Sequence, residues 1–137
     1  MGSLVFELAL LGAEIILVAR DENKLKAVKK ELDDLTKKTH HYFVADFSFP
    51  PELKLRAEDS IAELGPVHIL INNTGGPAAG TVSDAKTDEF IQAFNSHLIC
   101  NHILVQACLE GMKSEKYGRI INIISTSVKQ PISGLGV

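Results

Sequence analysis

Four short apolar runs, separated by stretches with helical periodicity, constrain the fold of this chain most strongly. The runs are rich in Ile, Val and Leu, are apolar on both faces as buried parallel strands are, and cover residues 13–20, 41–46, 67–73 and 118–125. Apolar or amphipathic helical stretches alternate with them at residues 3–11, 21–38, 50–64 and 87–112. Because strands and helices alternate, the sequence predicts an α/β fold in which helices cover both faces of a parallel sheet.

Length and composition exclude several classes of protein. The 137 residues suffice for one domain with a core and are too few for two of ordinary size, so residues 1–137 are predicted to be one domain. The apolar runs are far shorter than a membrane span. The net charge of −3 provides no basic surface, which argues against a nucleic-acid partner. Without a secretion signal, a cytoplasmic location is expected, where Cys100 and Cys108 are free thiols.

Polar or glycine-rich segments follow each of the four predicted strands. In an open parallel sheet, ligands bind beyond the carboxyl ends of the strands. These ends are Arg20, Asp46, Asn73 to Gly76, and Ser125. Flavodoxin-like and Rossmann-like sheets both fit this arrangement. A receiver-type signalling domain is the weaker alternative, because Asp46 lacks the companion acidic pair and lysine that such domains use.

The same four segments resemble motifs of the short-chain dehydrogenase/reductase family in order and spacing. They are GAEIILVARDENKL (12–25), VADFS (44–48), ILINNTGG (69–76) and GRIINIIS (118–125). The resemblance implies a Rossmann-like sheet and an NADP-dependent oxidoreductase that interconverts a carbonyl and an alcohol in a small molecule. The beta-ketoacyl carrier-protein reductase type is one possibility within that family.

The resemblance assigns cofactor-binding roles at the first two strand ends. Arg20 would pair with the ribose 2′-phosphate of NADP. NAD is the alternative cofactor. The alternative role of Arg20 is a surface ion pair with Asp21 or Glu22. Asp46 would accept a hydrogen bond from the adenine amino group, or else cap the turn toward Pro50.

At the third strand end, Asn73, Thr74 and Gly75 are implied to line the adenosine side of the cofactor. Glycine there lets a backbone approach a nucleotide closely. The alternative is that these residues only form a turn. Thr74 stands where the family usually has alanine.

Two residues are implied to take part in catalysis. Ser125 matches the serine whose hydroxyl holds the substrate carbonyl oxygen, although a serine at a strand end can also bond the backbone. His97 occupies the position of the family's proton-relay asparagine. A histidine can relay a proton, and a histidine in a helix can also be structural.

Several family elements have no counterpart in these 137 residues. The first strand with its glycine-rich turn and the Tyr-x-x-x-Lys pair are missing, and neither Tyr42 nor Tyr117 has a lysine four residues later. We therefore expect a sheet that is split where the first strand would lie, a chain without turnover of its own, and a place within a longer polypeptide. The alternative is a non-catalytic relative that binds a nucleotide or oligomerises.

The stretch 87–112 is apolar around more of its circumference than contact with one sheet requires. The resemblance implies that this helix packs against its counterpart in a second copy, so a homo-oligomer is expected. The alternative is that further residues of the same protein cover the second face.

Overall fold

The computed structural model describes residues 2–130 and 132–137 of the chain. The helices are α1 (Gly2–Leu10), α2 (Glu22–Thr36), α3 (Pro50–Leu64), α4 (Thr87–Phe94) and α5 (Cys100–Ser114). The strands are β1 (Ile16–Ala19), β2 (His41–Val44), β3 (Ile69–Asn72) and β4 (Arg119–Asn122). The predicted alternation of strands and helices is confirmed. None of the described helices is both long and apolar enough to cross a bilayer.

The chain forms two compact units, which divide between Asp46 and Phe47. In the first unit, β1 and β2 pair in parallel, from Ile16 with His41 to Ala19 with Val44. Helix α2 packs on this pair because Leu25 and Leu32, seven residues apart, lie on one buried face. Its N-terminus is capped by the Asp21 side chain, which accepts a hydrogen bond from the Lys24 backbone N–H at 3.1 Å.

The second unit contains the other strand pair and a longer helical layer. β3 and β4 pair in parallel, from Ile69 with Arg119 to Asn72 with Asn122. Helix α3 packs against α5. The buried side of α5 repeats every four residues, which is the spacing of one helix face, and consists of Cys100, Leu104, Cys108 and Met112. On α3 the buried residues are Leu53 and Ala57.

Glycine residues end two of the helices. Gly12 follows α1 with a φ of 100°, and Gly65 follows α3 with a φ of 95°. Both values lie in the left-handed region, where a side chain is disfavoured. Gly136 is required for a different reason: a Cβ built on it would lie 2.3 Å from the backbone nitrogen of Val82. This close approach lets Gly136 N–H donate to the carbonyl of Gly80 at 3.0 Å.

The strands form two separate two-stranded sheets, β1–β2 and β3–β4. The predicted split of the sheet is therefore confirmed. Each strand is four residues long, which is shorter than the apolar run that predicted it. The fourth strand shows why, because it ends where pairing ends. The Ile123 N–H makes the last hydrogen bond to β3, to the Asn72 carbonyl at 2.9 Å, and Ile124 beyond it is exposed.

The predicted continuous helix over residues 87–112 is interrupted, which corrects the sequence interpretation. Between α4 and α5 the residues Asn95–Ile99 form a π-helical turn. The backbone N–H of Cys100 donates to the carbonyl of Asn95, five residues earlier. A π-turn of this kind is one extra residue in the helix, and it shifts every later side chain around the axis.

Candidate functional site

The carboxyl end of β1 presents an unpaired cation in the first unit. Arg20 is exposed and, within residues 2–130 and 132–137, makes no ion pair. The two acidic neighbours that could have paired with it are engaged elsewhere. Asp21 caps α2 with its carboxylate 3.6 Å from Lys24 Nζ, and Glu22 Oε1 lies 3.0 Å from Lys26 Nζ. The alternative role of Arg20, an ion pair with Asp21 or Glu22, is therefore not what the structure contains.

The charge states of these neighbours agree with the contacts. The backbone N–H of Lys24 is the main cause that lowers the pKa of Asp21. A side-chain hydrogen bond from Lys26 lowers the pKa of Glu22. Both carboxylates are thus ionised well below neutral pH and bound to lysines. The Arg20 guanidinium forms no ion pair with either carboxylate.

Asp46 lies at the carboxyl end of the second strand in the same unit. The preceding residue, Ala45, is buried and donates its N–H to the Ala19 carbonyl at 3.1 Å. This bond continues the β1–β2 pairing by one residue. Asp46 is half-buried immediately beyond it, which is the position predicted from the sequence.

In the second unit, β3 and β4 both end in asparagine, and the two side chains meet. Asn72 is 3% exposed, and its Nδ2 donates to Asn122 Oδ1 at 2.8 Å. The Oδ1 atom of Asn72 is buried and has no hydrogen-bond partner among the described residues. The sequence analysis did not include Asn122 among the site residues. A signal for it was present, because the strand sequences ILIN and RIIN both end in asparagine.

The backbone beyond β3 does not itself require glycine. Gly75 and Gly76 are exposed, have no positive φ, and a Cβ on either would meet no atom within 4 Å. Asn73, which directly follows β3, is half-buried. Neither Gly75 nor Gly76 shows the left-handed φ or the close backbone contact that would demand glycine within the described chain.

Thr74 and His97, the two departures from the family pattern, contact each other. Thr74 Oγ1 lies 2.6 Å from His97 Nδ1, and both residues are half-buried. His97 is the central residue of the π-helical turn. Asn101 Nδ2 donates to the His97 carbonyl at 2.7 Å. The imidazole and the backbone of His97 are therefore held by two different residues.

Ser125 precedes a short 3₁₀ turn, Thr126–Val128, and its hydroxyl oxygen caps that turn. Ser125 Oγ accepts hydrogen bonds from the Ser127 backbone N–H at 3.1 Å and from the Ser127 hydroxyl at 2.8 Å. Ser125 is exposed, and in the described part of the chain no hydrogen bond joins it to His97. His97 is thus hydrogen-bonded to Thr74 and, among the described residues, makes no direct hydrogen bond to Ser125.

Metal and thiol chemistry receive no support from the described residues. They contain no group of three or more His, Cys, Asp or Glu side chains that could hold a metal ion. Burial raises the pKa of the Cys108 thiol to about 11, so it is protonated at neutral pH. Cys100 and Cys108 are both buried, and neither forms a disulfide bond.

The parallel strands, the intervening helices and the polar strand ends define a Rossmann-like α/β protein. The family model for short chain dehydrogenase matches residues 2–137. The chain belongs to the short chain dehydrogenase family.

Individual relatives include active and inactive proteins by name. Over 127 residues the chain is 33% identical to the human inactive hydroxysteroid dehydrogenase-like protein 1, covering 91% of this chain and 38% of that protein. Over 124 residues it is 28% identical to the 3-oxoacyl acyl-carrier-protein reductase of Rickettsia bellii, covering 90% and 48%. The chain therefore spans less than half the length of these relatives.

A solved structure supports the same fold. A metagenomic short-chain oxidoreductase in complex with NADP is 29% identical and has a TM-score of 0.87. The similarity covers 98% of this chain and 61% of that one.

Proposed function

We propose that this chain supplies the NADP(H)-binding and carbonyl-holding residues of a short-chain oxidoreductase that interconverts a carbonyl and an alcohol. The observation that carries the proposal is the exposed, unpaired Arg20 at the carboxyl end of β1. A planar, permanently charged guanidinium suits a phosphate better than a ribose hydroxyl. NADP(H) is accordingly favoured over NAD(H).

The remaining cofactor contacts are proposed within each unit by itself. In the first unit, Asp46 would accept a hydrogen bond from the adenine amino group. In the second unit, Asn73, Thr74 and Gly75, which follow β3 directly, would line the adenosine side. When bound, NADPH supplies the hydride.

The role proposed for Ser125 follows from its hydrogen bonds. Its oxygen accepts two bonds from Ser127, which leaves its own hydroxyl proton available for a third partner. A serine held in this way donates to an oxygen acceptor. We assign that acceptor as the substrate carbonyl oxygen, on which negative charge develops as hydride is delivered. His97, which carries a titratable ring, is proposed to relay a proton.

A small-molecule carbonyl compound is the proposed substrate, and a 3-oxoacyl thioester is a candidate because one relative is named for that reaction. The proposal is tested by titrating NADPH into the purified chain while following backbone amide NMR signals. We expect saturable shifts at Arg20, Asp46 and residues 73–75, with the exposed segment 113–117 as an internal control. Absence of binding at millimolar NADPH would contradict the proposal.

A second candidate function is a non-catalytic module that binds a nucleotide or oligomerises. The name of the human relative, which describes it as inactive, favours keeping this alternative. The sequence contains no tyrosine with a lysine four residues later to donate a proton.

We therefore predict that the 137-residue chain binds NADPH without reducing a carbonyl compound. The measurement is NADPH oxidation with a simple ketone and with a 3-oxoacyl thioester. Turnover above background that Ser125→Ala abolishes would show that the chain has a proton donor of its own, and the prediction would then be wrong.

A further inference from the structure

The π-helical turn Asn95–Ile99 is anchored on one backbone carbonyl in the second unit. Ser96 Oγ, inside the turn, donates to the Phe47 carbonyl at 3.3 Å. Cys100 Sγ, just after the turn, donates to the same carbonyl at 3.2 Å. A π-helical turn has poorer hydrogen-bond geometry than an α-helix and persists where surrounding contacts maintain it. These two bonds hold the turn that carries His97.

Two further contacts act on His97 itself. Asn101 donates from Nδ2 to the His97 carbonyl at 2.7 Å, four residues back along the helix. Thr74, which follows β3, places its hydroxyl 2.6 Å from Nδ1 of the ring. The first contact positions the backbone of His97, and the second fixes the direction in which its ring faces.

The Thr74 contact bears on which ring nitrogen carries the proton, because donation by the hydroxyl to Nδ1 requires the ring proton to be on Nε2. A half-buried hydroxyl without an acceptor is unfavourable, and Nδ1 of a neutral imidazole is an acceptor when the proton is on Nε2. The hydroxyl proton can rotate to point at Nδ1. The bond made at one ring nitrogen selects the protonation state of the other.

We infer that Thr74 is a positioning residue that locks neutral His97 in the form with its proton on Nε2, while Asn101 holds the His97 backbone in the π-helical turn. This inference rests on the proposed function for its consequence, because the nitrogen that carries the proton is the one that can hand it on. Nε2 lies across the ring from Thr74. The lock therefore keeps the proton-donating nitrogen turned away from Thr74.

The lock is tested by ¹⁵N NMR of the histidine ring nitrogens in the purified chain at about pH 8, where imidazole is neutral. His102, exposed on the same helical layer and without a hydrogen-bonded partner among the described residues, is the internal reference. We expect the ratio of Nε2–H to Nδ1–H forms in His97 to exceed that in His102 by about fivefold, the effect of one hydrogen bond.

Variants then separate the hydroxyl from the shape of the side chain. Thr74→Val should bring the ratio in His97 down to that of His102, Thr74→Ser should retain the excess, and the control Thr87→Val, at an exposed threonine, should leave it unchanged. Should Thr74→Val fail to fold, the wild-type ratio decides. A wild-type ratio equal to that of His102, a proton on Nδ1, or an excess that survives in Thr74→Val would overturn the lock.

Failure of the lock and failure of the proposed function give different results. The ring signals of His97 require neither cofactor nor substrate. A chain with the expected tautomer that binds no NADPH would retain the lock and lose the proposed function. A chain that binds NADPH with unbiased His97 signals would do the reverse.

Discussion

The hydrogen bonds around the His40 ring fix its protonation state. His40 is 0% exposed. Its Nδ1 accepts a hydrogen bond from the Ile15 N–H at 3.1 Å, so this nitrogen carries no proton. Its Nε2 lies 2.9 Å from Thr36 Oγ1, whose own proton is donated to the Leu32 carbonyl at 2.9 Å. Nε2 must therefore be the donor, and the ring is neutral.

This arrangement gives the stability of the first unit a pH dependence with a definite sign. Burial is the main cause that lowers the pKa of His40 below its ordinary value, and it outweighs the opposing charge of Asp33. As pH falls below about 6.5, the unfolded chain takes up this proton before the folded chain does. The contribution of His40 to the free energy of unfolding is thus complete above about pH 6.5 and is lost below it.

We predict that His40→Asn lowers the free energy of unfolding by about 1–3 kcal/mol near pH 7.5, because a buried donor or acceptor is left unpaired. The difference from wild type should narrow toward about pH 5, since the variant has no ring to protonate. Urea unfolding at several pH values measures both effects. His41→Asn is the matched control, because the partner of His41, Glu14, is 62% exposed, and this change should cost less. A difference that stays constant with pH would exclude the assigned role of His40.

Helix α4 and the adjoining π-helical turn have an apolar surface that the described chain leaves exposed. Phe90, Ile91, Phe94 and Leu98 are 44%, 53%, 57% and 52% exposed. A contiguous patch of this kind marks a contact surface. We propose that it mediates homo-oligomerisation. A twofold contact would use the same patch on both copies.

We predict that Ile91→Glu combined with Phe94→Glu weakens self-association of the chain by at least about tenfold, because each large apolar side chain contributes about 1.5–3 kcal/mol when buried. Sedimentation at micromolar concentration measures this. The double variant Leu35→Glu and Leu55→Glu is the control, since both leucines are exposed on other helices. A folded wild type that stays monomeric, or an equal effect of the control, would exclude this interface.

At the scale of the whole molecule, the alternation of strands and helices could be predicted from the sequence. The contacts between residues far apart in the sequence could not. The four strands and the helix ends at Gly12 and Gly65 follow from apolar periodicity and backbone preference. Both signals are local, because each can be recognised within a segment of about ten residues. The bond between Thr74 and His97 joins residues 23 positions apart, and that between Asn72 and Asn122 joins residues 50 apart. Such pairs depend on strand register and on a one-residue insertion in a helix, which apolar spacing does not reveal.

The site shows the same division. The strand-end positions of Arg20, Asp46 and Asn73 were predicted because a parallel sheet places its carboxyl ends in known order. The capping role of the Ser125 hydroxyl and the availability of its proton required the position of Ser127. The cofactor-binding roles of Arg20, Asp46 and Asn73 and the catalytic role of Ser125 stay predictions.

The central claim is that the chain carries an NADP(H) site whose selectivity comes from Arg20. The most direct measurement is fluorescence titration of NADPH and NADH against wild type, Arg20→Glu and the control Arg56→Glu, at a second exposed arginine. We predict that wild type and the control bind NADPH at least about tenfold more tightly than NADH, because a charge-assisted hydrogen bond contributes about 1.5–3 kcal/mol. Arg20→Glu should abolish that preference. An unchanged preference in Arg20→Glu, or equal affinity of the wild type for both cofactors, would contradict the claim.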